Sequence, residues 1–161
     1  MDESRPTQAS PLQVARIIGA AMPIGVIALW LVAWFVSRGG AEPMWNESVD
    51  DGVALLGLTA LMLAALVGAL VMRARVVRMV EEAQRDARGE ARATLPARVS
   101  QTLIIAWGLL EMPALASGVA LLLLGLEQVI LYVAPLYFLG IALTYPRAEW
   151  FGQDARGIGP R

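Results

Sequence analysis

The sequence contains no cysteine, no histidine and no lysine. The first absence excludes disulfides and thiolate nucleophiles. The second excludes imidazole bases and imidazole ligands to metal or haem. The third excludes Schiff-base chemistry. A lipid-acting enzyme would have to work with carboxylates and hydroxyls alone, or with a metal held on carboxylate oxygens. The acids Glu47, Asp50 and Asp51 are the nearest approach to such a cluster, and grouped acids of this kind commonly mark a solvated loop. The expectation is therefore a protein that is not an enzyme and carries no cofactor. Methionines such as Met22, Met62, Met72 and Met112 are read as packing residues rather than axial ligands.

Charge of either sign is also scarce. Only 17% of the 161 residues are charged and 57% are apolar, with a net charge of -1. The mean hydropathy is +0.58. These values lie outside the usual range of a water-soluble domain, and the balanced charge argues against nucleic acid as a partner.

Four apolar runs approach or exceed the ~20 residues that carry a helix across a bilayer. They extend from Val14 to Val36, Val53 to Met72, Val99 to Leu124 and Val129 to Tyr145. The expected fold is all-α, a single four-helix transmembrane bundle with an arm over residues 73–98. The first run is longer than a signal-peptide core and has Asp2 and Glu3 in its leader, so it reads as a retained helix. Twelve of the thirteen arginines fall on one side of these spans, and Arg38 stands alone on the other. The positive-inside bias then places both termini in the cytoplasm. Abundant Ala, Leu and Arg without Lys suggest a GC-rich bacterial genome, hence the bacterial inner membrane.

The arm carries Val76, Val80, Ala83 and Ala87 at helical spacing, with Glu81 and Arg85 at i, i+4. Gly89 weakens it, and Pro96 is expected to separate it from the third span. It reads as a solvated helical arm, and equally as a docking surface in which Arg73, Arg75 and Arg78 meet anionic headgroups or a partner. On the opposite side, Pro43 and Trp45 suggest an interfacial loop. Gly125-Leu126-Glu127-Gln128 suggests a tight turn with a solvated Glu127, and the Trp150-Phe151 pair is expected in the inner headgroup layer.

Helices in lipid pack through small residues. The candidates are Gly57, Ala60, Ala64 and Gly68 in the second span, Ala21, Gly25 and Ala28 in the first, and Gly108, Ala114 and Gly118 in the third. Such faces serve a compact bundle, or contacts with other membrane subunits or a second copy. Pro23, Pro113 and Pro135 should each free one carbonyl, those of Gly19, Leu109 and Leu131, and bend their helices.

Glu111 stands out. It lies near the middle of the third span, with no cation in the interior of any span to pair with it, Arg16 standing at the edge of the first. An ionised side chain there costs about 3 kcal/mol on insertion scales, so the neutral acid is the expected form. It is expected to face the bundle on the side of Trp107, Gly108, Ala114 and Gly118. Its possible partners are the hydroxyls of Thr59, Ser117, Tyr132 or Tyr137, or a carbonyl freed by proline. Two roles remain open: a hydrogen-bonding group that fixes helix register, or a site that binds and exchanges a proton or cation.

The residues from Leu95-Pro96 through Ile104-Ile105-Ala106-Trp107-Gly108-Leu109-Leu110-Glu111-Met112-Pro113 resemble the carboxylate-bearing helix of the c subunit of rotary ATP synthases. That resemblance implies an ion-binding Glu111. It covers the third span and its approach, and this chain has no glycine-repeat partner helix. The chain as a whole resembles small four-helix bacterial inner-membrane proteins, through this third span and the exit Pro146-Arg147-Ala148-Glu149-Trp150. That likeness implies topology. The expected function is a noncatalytic accessory or scaffold subunit of a membrane assembly, or alternatively a proton or cation carrier centred on Glu111.

Overall fold

The computed structural model describes residues 10–39, 50–86 and 90–151. Within them the protein is all-α, with helices α1 (Pro11–Arg38), α2 (Asp51–Arg85), α3 (Glu90–Leu124) and α4 (Gln128–Thr144), followed by a 3₁₀ turn over Ala148–Phe151. Three of these, α1, α2 and α3, are long and apolar enough to cross a membrane. The fourth has 17 residues, about 26 Å at 1.5 Å per residue, and is apolar but shorter. Pro43 and Trp45, Ala87 to Gly89, and the arginines at 5, 156 and 161 lie outside the described residues.

Local chemistry sets the helix ends. Ser10 and Gln13 exchange side-chain and backbone hydrogen bonds of 3.0 and 3.3 Å, and Pro11 opens α1. Asp50 accepts from the Gly52 amide at the start of α2. Asp86 closes α2 with its amide on the Glu82 carbonyl, while its carboxylate accepts from the Ala91 amide in the first turn of α3 at 2.8 Å. A negative group at that helix start is favourable on dipole grounds as well. One residue therefore ends one helix and opens the next.

The turn into α4 matches expectation. Gly125 takes φ 68°, a left-handed conformation open to glycine at little cost. Its amide donates to the Leu121 carbonyl at 3.0 Å, and the Glu127 amide donates to the Gly125 carbonyl at 2.8 Å. Glu127 is more than a solvated acid. Its carboxylate lies 3.6 Å from Arg38 Nε, whose guanidinium also stacks 4.4 Å over Trp34. Both partners are well exposed, so the pair contributes little energy, but it brings the end of α1 to this turn.

Pro96 does not separate an arm from a span. α3 runs through it unbroken, as α1, α3 and α4 run through Pro23, Pro113 and Pro135. The expected arm is the charged end of α2 and the first turns of α3, paired side by side. Leu95 and Val99, on either side of Pro96, are fully enclosed with Val76, Met79 and Ala83 of α2. Burial of that stripe keeps the helix going past a lost hydrogen bond.

α3 is the central element. It packs against α1, α2, α4 and the 3₁₀ turn, and α2 also packs on α4. Side chains enter notches left by glycine. The Trp107 indole covers Gly19 of α1, where a Cβ would stand 2.9 Å from Cη2. Leu110 fills the space over Gly140 of α4, and Leu29 with Trp30 fills that over Gly118. Both tryptophans also anchor their N–H groups. Trp30 Nε1 donates to the Ala114 carbonyl at 2.9 Å and to Ser117 Oγ at 3.0 Å. Trp107 Nε1 donates to Thr144 Oγ1 at 3.1 Å, and that hydroxyl donates to the Gly140 carbonyl at 2.8 Å. Trp30 further sets its ring edge against Tyr137 and Phe138 of α4. Trp150 and Phe151 pack inward. They are buried in the core formed by Leu12, Ala15, Val76, Val99 and Leu103, closing one end of the bundle.

Two stability measurements check this packing. Gly118→Ala should lower the unfolding free energy in mild detergent by about 1–3 kcal/mol, since the new methyl meets Leu29 Cγ at 2.9 Å. Gly25→Ala, with nothing within 4 Å, should leave it unchanged or slightly raised. Trp107→Phe should cost about 1 kcal/mol for the lost bond to Thr144, read as a lower thermal midpoint by near-UV circular dichroism.

Candidate functional site

Glu111 sits on α3 between Trp107 and Ala114, a turn away from each. Trp107, Ala114 and Gly118 are buried, whereas Glu111 and Gly108 are half-buried at the edge of that face. No hydrogen bond to the Glu111 carboxylate exists among the described residues. The candidate partners separate clearly. Ser117 is committed to the Ala114 carbonyl and the Trp30 indole. Tyr132 is 53% exposed. Thr59 is half-buried near the start of α2. Among the described residues, no side chain donates to the carbonyls of Gly19, Leu109 or Leu131, and none of the three meets Glu111 in a hydrogen bond.

Tyr137 of α4 is the candidate left with bonding capacity. Its side chain is fully enclosed, and its hydroxyl is within electrostatic range of Glu111. That hydroxyl is the one buried side-chain polar atom without a hydrogen-bond partner among the described residues. An unsatisfied buried polar group costs about 1–3 kcal/mol. The Glu111 carboxyl is half-buried and, among the described residues, has no hydrogen bond to protein either.

The small residues divide by helix. Ala114 and Gly118 are buried as expected, and Gly68 is half-buried with Leu109 of α3 at 3.3 Å from its Cβ position. Gly108 has open space around it. Gly57, Ala60 and Ala64 do not face the bundle. They are exposed, because the inward stripe of α2 is Met62, Ala65, Leu66 and Ala69. Ala21, Gly25 and Ala28 are likewise exposed, because α1 turns Gly19, Val26, Trp30 and Ala33 inward. In α1 the face is decided by Trp30, whose acceptor and glycine notch lie on α3. Spacing of small residues alone does not report it.

The three arginines at the end of the α2 apolar run also part company. Arg73 is half-buried and turns toward α3 and the 3₁₀ turn, while Arg75 and Arg78 are exposed. Steps of two and five residues rotate a helix by about 200° and 140°, so these three could not share a surface. Arg73 is brought instead to Arg92 of α3 and to Arg147, just beyond α4. Sequence reading did not single out Trp30, Thr144, Gly19 and Gly140. A tryptophan in the middle of an apolar span is itself the available signal, since its N–H needs an acceptor there.

No family model, no curated protein and no solved structure matches this chain. The likeness of α3 to the rotary carboxylate helix therefore rests on its residues alone. The findings establish a small all-α protein with three helices of membrane-spanning length.

Proposed function

We propose that this protein is a noncatalytic accessory or scaffold subunit of a membrane assembly, built of its own copies or of other membrane proteins. In this reading α4 is a fourth span, both termini are cytoplasmic, and the membrane is the bacterial inner membrane. A span of about 17 residues is at the lower limit for crossing, and the arginine distribution gives the orientation. The observation that carries the proposal is the outward row Gly57, Ala60 and Ala64 on α2. Against lipid tails a small side chain offers less contact than leucine. Against another helix it permits close backbone approach. The chain's own packing leaves this row unused.

The lack of cysteine makes the test direct. Ala60→Cys and Ala64→Cys should each give cross-linked species larger than the monomer on mild oxidation or with a short thiol-to-amine reagent in native membranes. Leu70→Cys, exposed on another face of α2, should not. Gentle-detergent purification of a lone monomer, with no adduct from either alanine position, would overturn the proposal.

A second reading is favoured by Glu111 and Tyr137. A carboxyl and a phenol hydroxyl in electrostatic range, neither hydrogen-bonded to protein, suit binding and release of a proton or small cation. Glu111→Gln should abolish proton- or cation-driven flux in proteoliposomes. Flux that is absent in the wild type, or unchanged in the variant, removes this reading.

A further inference from the structure

We propose that the cavity between the charged end of α2, the first turns of α3 and the 3₁₀ turn binds the phosphate group of a membrane phospholipid. The cavity has a volume of about 540 Å³, within the range of small-molecule sites. Three guanidinium groups line it, Arg73 from α2, Arg92 from α3 and Arg147 from the segment after α4. They come from three separate parts of the chain and meet only through the fold.

None of the three is in an ion pair among the described residues, where Arg38 with Glu127 is the pair found. Three cations and two carboxylates, Glu81 and Glu149, line this space, which leaves a net positive charge that an entering anion balances. Planar guanidinium forks match the tetrahedral oxygens of phosphate two at a time. Arg147 is held for the purpose, with its guanidinium 5.7 Å from the centre of the Trp150 ring, and Trp150 is itself buried.

Position identifies the source of the phosphate. Arg73 directly follows Met72, the last residue of the α2 apolar run, so one side of the cavity lies at the level where headgroups meet the hydrocarbon. Val80 and Leu95 supply apolar wall beside the arginines. Glu81 and Glu149 also line the space. They accept hydrogen bonds from a headgroup that carries hydroxyl or ammonium donors next to its phosphate, and they disfavour a bare polyanion. Arg75 and Arg78 take no part. As exposed charges they contribute only to the general attraction of a basic segment for an anionic surface.

The test uses the full chain in mild detergent, with bound lipid counted by native mass spectrometry after addition of phosphatidylglycerol or of diacylglycerol. Wild type should retain one phosphatidylglycerol and no diacylglycerol. The Arg92→Gln, Arg147→Gln double variant should weaken retention by about tenfold, while the Arg75→Gln, Arg78→Gln double variant stays within about twofold. Equal losses from the two pairs would mean a diffuse basic surface and would overturn the site. Displacement of the signal by millimolar inorganic phosphate, with retention of phosphate rather than lipid, would overturn the lipid as its source. Should the glutamine pair lose helicity by circular dichroism, Arg92→Lys with Arg147→Lys keeps the charge and removes the fork. It should still reduce retention, and undiminished binding there would count against the proposal.

Discussion

Two indole N–H groups in an apolar medium are the constraint on which this bundle depends. In lipid a helix gains nothing from exchanging hydrocarbon for the side chains of its neighbour, so cohesion needs contacts that lipid cannot make. Trp30 reaches from α1 to the Ala114 carbonyl and Ser117, and Trp107 reaches from α3 to Thr144 on α4. Each ring also lies at a glycine on the facing helix: Trp107 covers Gly19, and Trp30 packs beside Gly118. Donor, acceptor, ring and notch have to coincide. That requirement fixes the rotation of α1 and α4 about α3 far more narrowly than apolar area could, because all faces of these helices are apolar.

The same argument explains what was legible in the sequence. The apolar runs mark α1 and α4 to within a few residues and Gly125 marks the last turn, because both depend on local composition and backbone geometry, whereas α2 continues to Arg85 and α3 begins at Glu90, well beyond their apolar runs. Pro96 was misread because its lost hydrogen bond is outweighed by tertiary burial of Leu95 and Val99, which no local rule contains. The small-residue rows of α1 and α2, which suit either the bundle interior or contacts with other chains, lie on outward faces. In a helix rich in Ala and Gly, spacing by four appears on several faces, and the choice among them is made on α3. Ala114 and Gly118 were read correctly because α3, as the central helix, buries most of its circumference. Glu111 is half-buried at the edge of the bundle-facing side, because the neighbouring Trp107 and Ala114 take the enclosed positions.

The candidate features fall at different levels of the molecule. Tyr137 is enclosed among the apolar parts of α3 and α4, with Glu111 at the edge of the buried face. The outward row of Gly57, Ala60 and Ala64 belongs to the α2 half nearer the Gly125 turn. The arginine-lined cavity is at the other end, where Trp150 and Phe151 seal the core. The proposed lipid site at one end and the proposed association face along α2 are separate surfaces.

Continuity of α2 and α3 has a mechanical side. Each is 35 residues long without interruption, about 52 Å, well beyond the hydrocarbon thickness of about 30 Å. Asp86 clasps their near ends, so the two helices are tied together beyond their apolar runs. Because α3 packs on every other helix, a load carried by this paired end has a direct path into the rest of the bundle.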